Sequence, residues 1–192
     1  MKKATFIIIL PLFMFLAAWS PASACVGRTL TIGSLGSAEE KLLSQLLAVI
    51  INERTGTTVV VEQYGSQKAL YDAASAGKVS IFVENTGRAL QMLGKTMAGD
   101  EEAIYLAVKE DLAERFGLVV LKSFGKSNIE NGHFIPVVPA SILLDYPALP
   151  RVVNRLAGIA EDRDYQKSVS SVSSGGKANR IARDFLLKKR FI

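Results

Sequence analysis

The sequence predicts an α/β domain with a mainly parallel sheet flanked by helices. Short β-prone runs, each ended by glycine or a polar corner, alternate with longer segments whose apolar residues recur at helical spacing. The third such run, Val79 to Val83, is apolar on both faces, as befits a central strand covered by helices on each side.

Taken in order, Thr29 to Gly33 ("TLTIG") is the first strand, and Ser37 then precedes Glu39 to Asn52, whose leucines and isoleucines recur as on a helix. Thr57 to Glu62 is rich in β-branched residues and is broken by Gly65-Ser66. Gln67 to Ala76 returns to helix formers and is closed by Gly77. The third strand runs into a helix start at Thr86-Gly87, with a lone carboxylate, Glu84, at the junction. Gly99-Asp100 precedes Glu101 to Phe116, a charged amphipathic helix, and Leu118 to Leu121 is a fourth strand. "GKSNIENGH" is polar and turn-rich, and Phe134 to Val138 is a short apolar return. The tail reads as helices from Pro139 to Asp145, Pro147 to Ala157 and Lys177 to Lys189, with the serine and glycine run "SVSSVSSGG" as a connector between the last two. In the final helix Ile181, Phe185, Leu186 and Leu187 form an apolar face expected to pack back on the N-terminal sheet.

The first residues read as an export signal, 1–24: Lys2 and Lys3, an apolar stretch from Ala4 to Trp19, then Ala22-Ser23-Ala24. The stretch is short for a membrane span and contains Pro11. Cys25, the only cysteine, would become the first mature residue. Small residues before it fit a lipidation site, and Ala-Ser-Ala fits ordinary cleavage equally well. Both readings place the protein in the periplasm or cell envelope, with membrane contact only through a lipid anchor. Residues 25–192 remain, enough for one α/β domain with a sizeable core. The net charge falls from +5 to +3 with Lys2 and Lys3 gone. Its largest basic cluster, Lys188-Lys189-Arg190, ends a helix, where cations complement the dipole, so nucleic acid is not an expected partner.

In open α/β sheets ligands gather beyond the carboxyl ends of the strands. Three corners qualify: "GSLGSAEE" with Ser34, Ser37 and Glu39; "YGSQ" with Tyr64 and Gly65; and the end of the third strand with Phe82, Glu84, Asn85 and Thr86. Helix capping explains the same serines, Asn85 and Thr86 without any ligand. Glu84 can orient a ligand donor or tie down neighbouring backbone amides, and Tyr64 and Phe82 can be core or rim as well as ligand faces. Nothing points to catalysis. His133 is the only histidine, no Ser, His and Asp ordering or metal-ligand spacing occurs, and "GSLGSAEEK" lacks the Gly-Lys-Ser/Thr ending of a phosphate-cradling loop. No enzyme activity, metal or cofactor is expected.

With these residues laid out, the chain resembles the substrate-binding proteins of ABC importers for glycine betaine, choline and related osmoprotectants. "TIGSLGSAEE" stands where the family shows a strand, "GS", a few residues and "TEQ". "GKVSIFVENTGR", from Gly77 to Arg88, stands against "GEIDxYPEYTGT". "YLAVKEDLAERFGLVVLKSFG" from Tyr105 and "ARDFLLKKRFI" from Ala182 extend the match. The resemblance implies a single lobe of a type 2 periplasmic-binding-protein fold. Family members have two lobes, and here Asn128 to Phe134 bridges the whole excursion, so the second lobe is expected to be absent between about residues 126 and 135. The implied ligand is a quaternary ammonium held by aromatic faces. Ser80 replaces the family's acid, Phe82 and Asn85 its tyrosines and Val83 its proline, and an amide is no cation–π donor, so weak binding is expected. The implied partner is an ABC permease or a second binding-protein lobe. The alternative is an envelope interaction protein that keeps one lobe as a scaffold.

Overall fold

A computed structural model describes residues 29–96, 99–127 and 131–192. The export signal and Cys25 lie outside the described residues. Strand β1 (Leu30–Ser34) leads into helix α1 (Ala38–Thr55), β2 (Val59–Gln63) into α2 (Gln67–Ser75), and β3 (Ile81–Asn85) directly into α3 (Thr86–Met92). Helix α4 (Glu101–Phe116) precedes β4 (Leu118–Val120), the short β5 (Gly125–Lys126) and β6 (His133–Pro139). The chain closes with α5 (Ala140–Asp145), α6 (Leu149–Val153), α7 (Arg163–Ser173) and α8 (Ala178–Lys188).

The sheet order is β2-β1-β3-β6-β4, with β5 paired to β6. β1 runs parallel to β2 and β3, as the alternation of strands and helices predicts, whereas β6 enters between β3 and β4 antiparallel to both. The sheet is therefore mixed. The reversal comes from the hairpin that follows β4: β5 leaves the sheet and β6 returns beside it, pairing Gly125 with Phe134 and Lys126 with His133, and Ser127 N–H donates to the Gly132 carbonyl at 3.0 Å. The polar stretch read as a turn thus contributes a strand.

Side chains alternate faithfully across β3 and β6. Ile81, Val83, Phe134 and Val138 enter one core with α1, α6, α7 and α8, while Phe82, Ile135 and Val137 enter the other with α2, α3 and α4. Helix α1 is buried over most of its circumference, with Leu43, Leu46, Leu47 and Ile50 wholly inaccessible, because it lies between the sheet and the C-terminal pair α7 and α8. Each such leucine or isoleucine contributes about 1.5–3 kcal/mol relative to exposure.

The serine-rich connector is a helix. In α7, Tyr165, Val169 and Val172 are buried at i, i+4 and i+7, and three serines spend their hydroxyls on backbone four residues earlier: Ser168 on Asp164, Ser170 on Gln166 and Ser171 on Lys167, at 2.9–3.1 Å. Serine is a poor helix former because it competes for backbone, but here the competition is resolved within the helix and the apolar stripe decides. In α8 the buried face is Ala182, Phe185 and Leu186. Leu187, expected on that face, is 52% exposed.

Candidate functional site

The carboxyl ends of β1, β2 and β3 meet the first turns of α1, α2 and α3 along one edge of the sheet, so the three sequence-predicted corners are neighbours. Ser37 caps α1 through a reciprocal capping box: its hydroxyl accepts from Glu40 N–H at 3.2 Å and Glu40 Oε2 accepts from Ser37 N–H at 3.0 Å. Ser66 caps α2 by accepting from Ala69 N–H. Asn85 Oδ1 accepts from Gly87 N–H at 2.8 Å and from Arg88 N–H at 3.4 Å, closing α3.

Glu84 is fully buried and joins the corners. Its Oε1 accepts from Asn85 N–H at 2.7 Å and from Arg88 Nε at 3.1 Å, and its Oε2 accepts from Gln67 Nε2 at 2.8 Å. Arg88 extends the chain by donating from Nη2 to Glu40 Oε1 at 2.6 Å. A single guanidinium thus ties the third corner to the first, and Gln67 ties it to the second. Burial pushes the Glu84 carboxyl up. Arg88, Gln67 and the Asn85 amide pull it back without cancelling the effect. Beneath it, burial and the Glu84 charge push the Tyr71 hydroxyl well up.

Other predicted site residues are placed as follows. Ser34 is buried at the end of β1, and its hydroxyl and Asn85 Nδ2 have no hydrogen-bond partner among the described residues. Glu39 is buried with Oε2 accepting from Ser127 Oγ at 2.8 Å. Tyr64 is half-buried and donates its hydroxyl to Glu62, while Gly65 is exposed. Phe82 lies wholly inside the second core, its ring edge-on to Tyr71 with centroids 5.2 Å apart. Thr86 Oγ1 accepts from His133 N–H at 2.9 Å.

The segment that leads into β6 presses on the third corner. A Cβ at Gly132, whose φ is +114°, would stand 2.6 Å from Thr86 Oγ1, 2.8 Å from Gly87 N and 2.9 Å from Asn85 Oδ1. Only glycine fits there. The start of α3 is therefore occupied by the protein's own backbone, and the open space on this edge lies beside it. A groove of about 380 Å³ is lined by Glu101, Glu102, Tyr105, Lys122, Ser123 and His133, and a smaller recess of about 210 Å³ carries it to Thr86 and Gly132. The Tyr105 hydroxyl donates to the Leu121 carbonyl at 3.0 Å, and burial pushes it up. His133 Nε2 lies 3.0 Å from Glu101 Oε2, and this imidazole, with Lys126, holds the Glu101 carboxyl below its ordinary range.

The profile of the substrate-binding domain of ABC-type glycine betaine transport systems matches residues 28–131, a span that holds all three corners and the groove-lining face of α4. The chain belongs to this family. Solved structures agree on the fold. One described as a glycine betaine/carnitine/choline ABC transporter is 13% identical with a TM-score of 0.75, over 86% of this chain and 99% of that one. Apo YehZ from Escherichia coli is 14% identical with a TM-score of 0.75, over 86% of this chain and all of the other. An ABC-transporter choline-binding protein in complex with choline is 11% identical with a TM-score of 0.52, over 84% and 89% of the two chains. The described residues form one lobe of that periplasmic-binding-protein fold.

The family is one of substrate binding, not of catalysis. Among the described residues no group of three or more His, Cys, Asp or Glu side chains is placed to hold a metal, and no helix is long and apolar enough to cross a membrane. Sequence reasoning missed Glu40, Gln67, Arg88 and Tyr105. Two of them carried signals: Ser37 and Glu40 spell a capping box, and Glu84 and Arg88 stand at i and i+4 on the same turn. Tyr105 had none, since a lone tyrosine in an amphipathic helix reads as core.

Proposed function

We propose that this chain is the solute-binding component of an ABC import system for quaternary-ammonium osmoprotectants of the glycine betaine and choline class, capturing its solute weakly on an open sheet edge. The observation that carries the reading is the groove beside the third corner, whose lining residues other than His133 fall within the family-matched span and where an aromatic face stands next to carboxylates. In this reading the ammonium sits against Tyr105 with Glu101 and Glu102 as counter-charges, and the network of Glu40, Glu84, Arg88 and Gln67 holds the corner residues Ser34, Ser37, Glu39, Tyr64, Gly65, Asn85 and Thr86 as a rigid wall behind it. Phe82 serves from the core. The chain is exported as residues 25–192, to the periplasm or to a lipid anchor at Cys25, and meets an ABC permease or a second binding-protein lobe.

An open groove leaves the ligand charge largely hydrated and forfeits part of the apolar contact of an enclosed cage. Losing about 100 Å² of contact costs about 2.5 kcal/mol, nearly two decades of affinity, so the isolated protein should bind glycine betaine, choline or carnitine at about millimolar Kd. Titration followed by amide chemical shifts tests this. Shifts confined to residues 101–105, 122–123 and 133, and lost in Tyr105→Ala, support the reading. Shifts elsewhere, or none with any of the three solutes at tens of millimolar, overturn it. The filled corner at Gly132 would then favour an envelope interaction protein that uses the lobe as a scaffold.

A further inference from the structure

We propose that β2 is a self-pairing edge through which two copies of this chain form a dimer with one continuous sheet. Among the described residues the strand ends the sheet order, paired on one side with β1. Leu30 N–H donates to the Thr58 carbonyl and Tyr64 N–H to the Ser34 carbonyl. In a parallel ladder this fixes the even residues Thr58, Val60 and Glu62 as facing β1, and leaves the N–H and C=O groups of Val59, Val61 and Gln63 pointing outward. Open sheets normally blunt such an edge with proline, lysine, a bulge or a covering element. Among the described residues β2 has no proline, lysine or bulge, and its one charge is Glu62: it is VVVEQ in unbroken register with β1, and Val60 is 45% exposed.

The occupant follows from register and charge. Pair two copies of β2 antiparallel about a two-fold axis at Val60, and Val59 of each copy faces Val61 of the other, exchanging both backbone hydrogen bonds. The two Val60 side chains then meet at the non-hydrogen-bonded position, where Cα atoms approach most closely, to about 4.5 Å. Glu62 stands opposite Thr58 of the second copy, and the two acids lie four residues, about 13 Å, apart. Moving the axis to Glu62 would set the acids face to face, which cross-strand pairing disfavours. The strand therefore complements itself in a register that satisfies its outward backbone, covers its exposed valine and keeps the two acids well apart. This pairing lies away from the groove and does not depend on what the groove binds.

The test is sedimentation velocity of the mature protein from about 5 to 500 µM, paired with amide hydrogen exchange, since dimer content follows mass action. A dimer is expected whose Val59 and Val61 amides exchange at least about tenfold more slowly than in the dilute protein. Val60→Lys should disperse it while leaving circular dichroism, and the Tm measured at the dilute, monomeric end of the range, unchanged, and Leu144→Lys, at a side chain 85% exposed on α5, should leave it intact. A monomer throughout the range overturns the proposal, as does a dimer indifferent to Val60→Lys. Slow exchange of Val61 in a concentration-independent monomer also overturns it, by assigning the edge to another segment of the same chain.

Discussion

Replacing Arg88 with methionine removes the cation that bridges Glu40 and Glu84, two carboxylates that are 1% and 0% exposed. Methionine keeps much of the stem packing, so the loss is chiefly electrostatic. Breaking a buried pair by removing one partner leaves an uncompensated charge and costs about 3–5 kcal/mol, a large share of the 5–15 kcal/mol that holds a domain folded. The pH dependence carries the sign. Burial already raises the Glu84 carboxyl in the folded protein. An acid raised in this way favours folding while protonated, and that contribution is lost as pH climbs through its folded-state value. Without Arg88 the rise is larger, so the deficit of Arg88→Met should be greatest at pH 8 and shrink as pH falls. Urea denaturation at pH 5, 6, 7 and 8 measures it. The double variant Arg88→Met with Glu84→Gln should recover at least about 1.5 kcal/mol relative to additivity. A deficit below about 1 kcal/mol, or one indifferent to pH, would refute the claim that Arg88 neutralises buried charge.

Gly132→Ala should destabilise by about 2–3 kcal/mol or more, since its Cβ meets Thr86 and the start of α3 at a positive φ, and thermal melting will show it. Tyr165→Phe removes a buried hydroxyl that has no partner among the described residues, so unfolding free energy should stay level or rise by up to about 1 kcal/mol, and a clear loss would mean the hydroxyl is bonded. Lys189 pairs with Asp162 at 2.6 Å and Asp164 at 3.0 Å, and hydrogen bonds from Lys188 and Lys189 pull the Asp164 carboxyl down to about 2. Depressed acids lend stability above their unfolded values near 4 and lose it as pH falls through the folded ones, so the Tm gap between the parent and Lys189→Met should close between pH 5 and pH 2. Removing residues 177–192 strips Ala182, Phe185 and Leu186 from α1 and should lower and broaden the melt.

The fold was legible wherever local pattern and tertiary demand agree. Val79 to Val83 reads as a central strand because both faces are covered, and each helix before residue 117 carries its own cap or glycine stop. Legibility fails in α7, where serine composition signals a linker while one tyrosine and two valines at helical spacing, easily overlooked among serines, fix a buried stripe. It fails again at β5, because two residues of pairing leave no periodicity to detect. At the candidate site the sequence exposes the corners but not their wiring. Glu40 and Arg88 lie 48 residues apart, and only the parallel arrangement of β1 and β3 brings their helices to one edge.

The direct crossing from β5 to β6 also bears on how the chain folds. Phe82 and Val137 pair at the centre of the sheet across some 55 residues. Inserting a lobe of about a hundred residues at that crossing would nearly triple the loop to be closed, at an added entropic cost of about 1 kcal/mol, and would give the centre of the sheet a second body to wait for. With the crossing reduced to a hairpin, β3 and β6 can meet as soon as α3 and α4 have formed between them. Refolding should then follow a single exponential with linear chevron arms, the kinetics of a unit with no separate domain to dock.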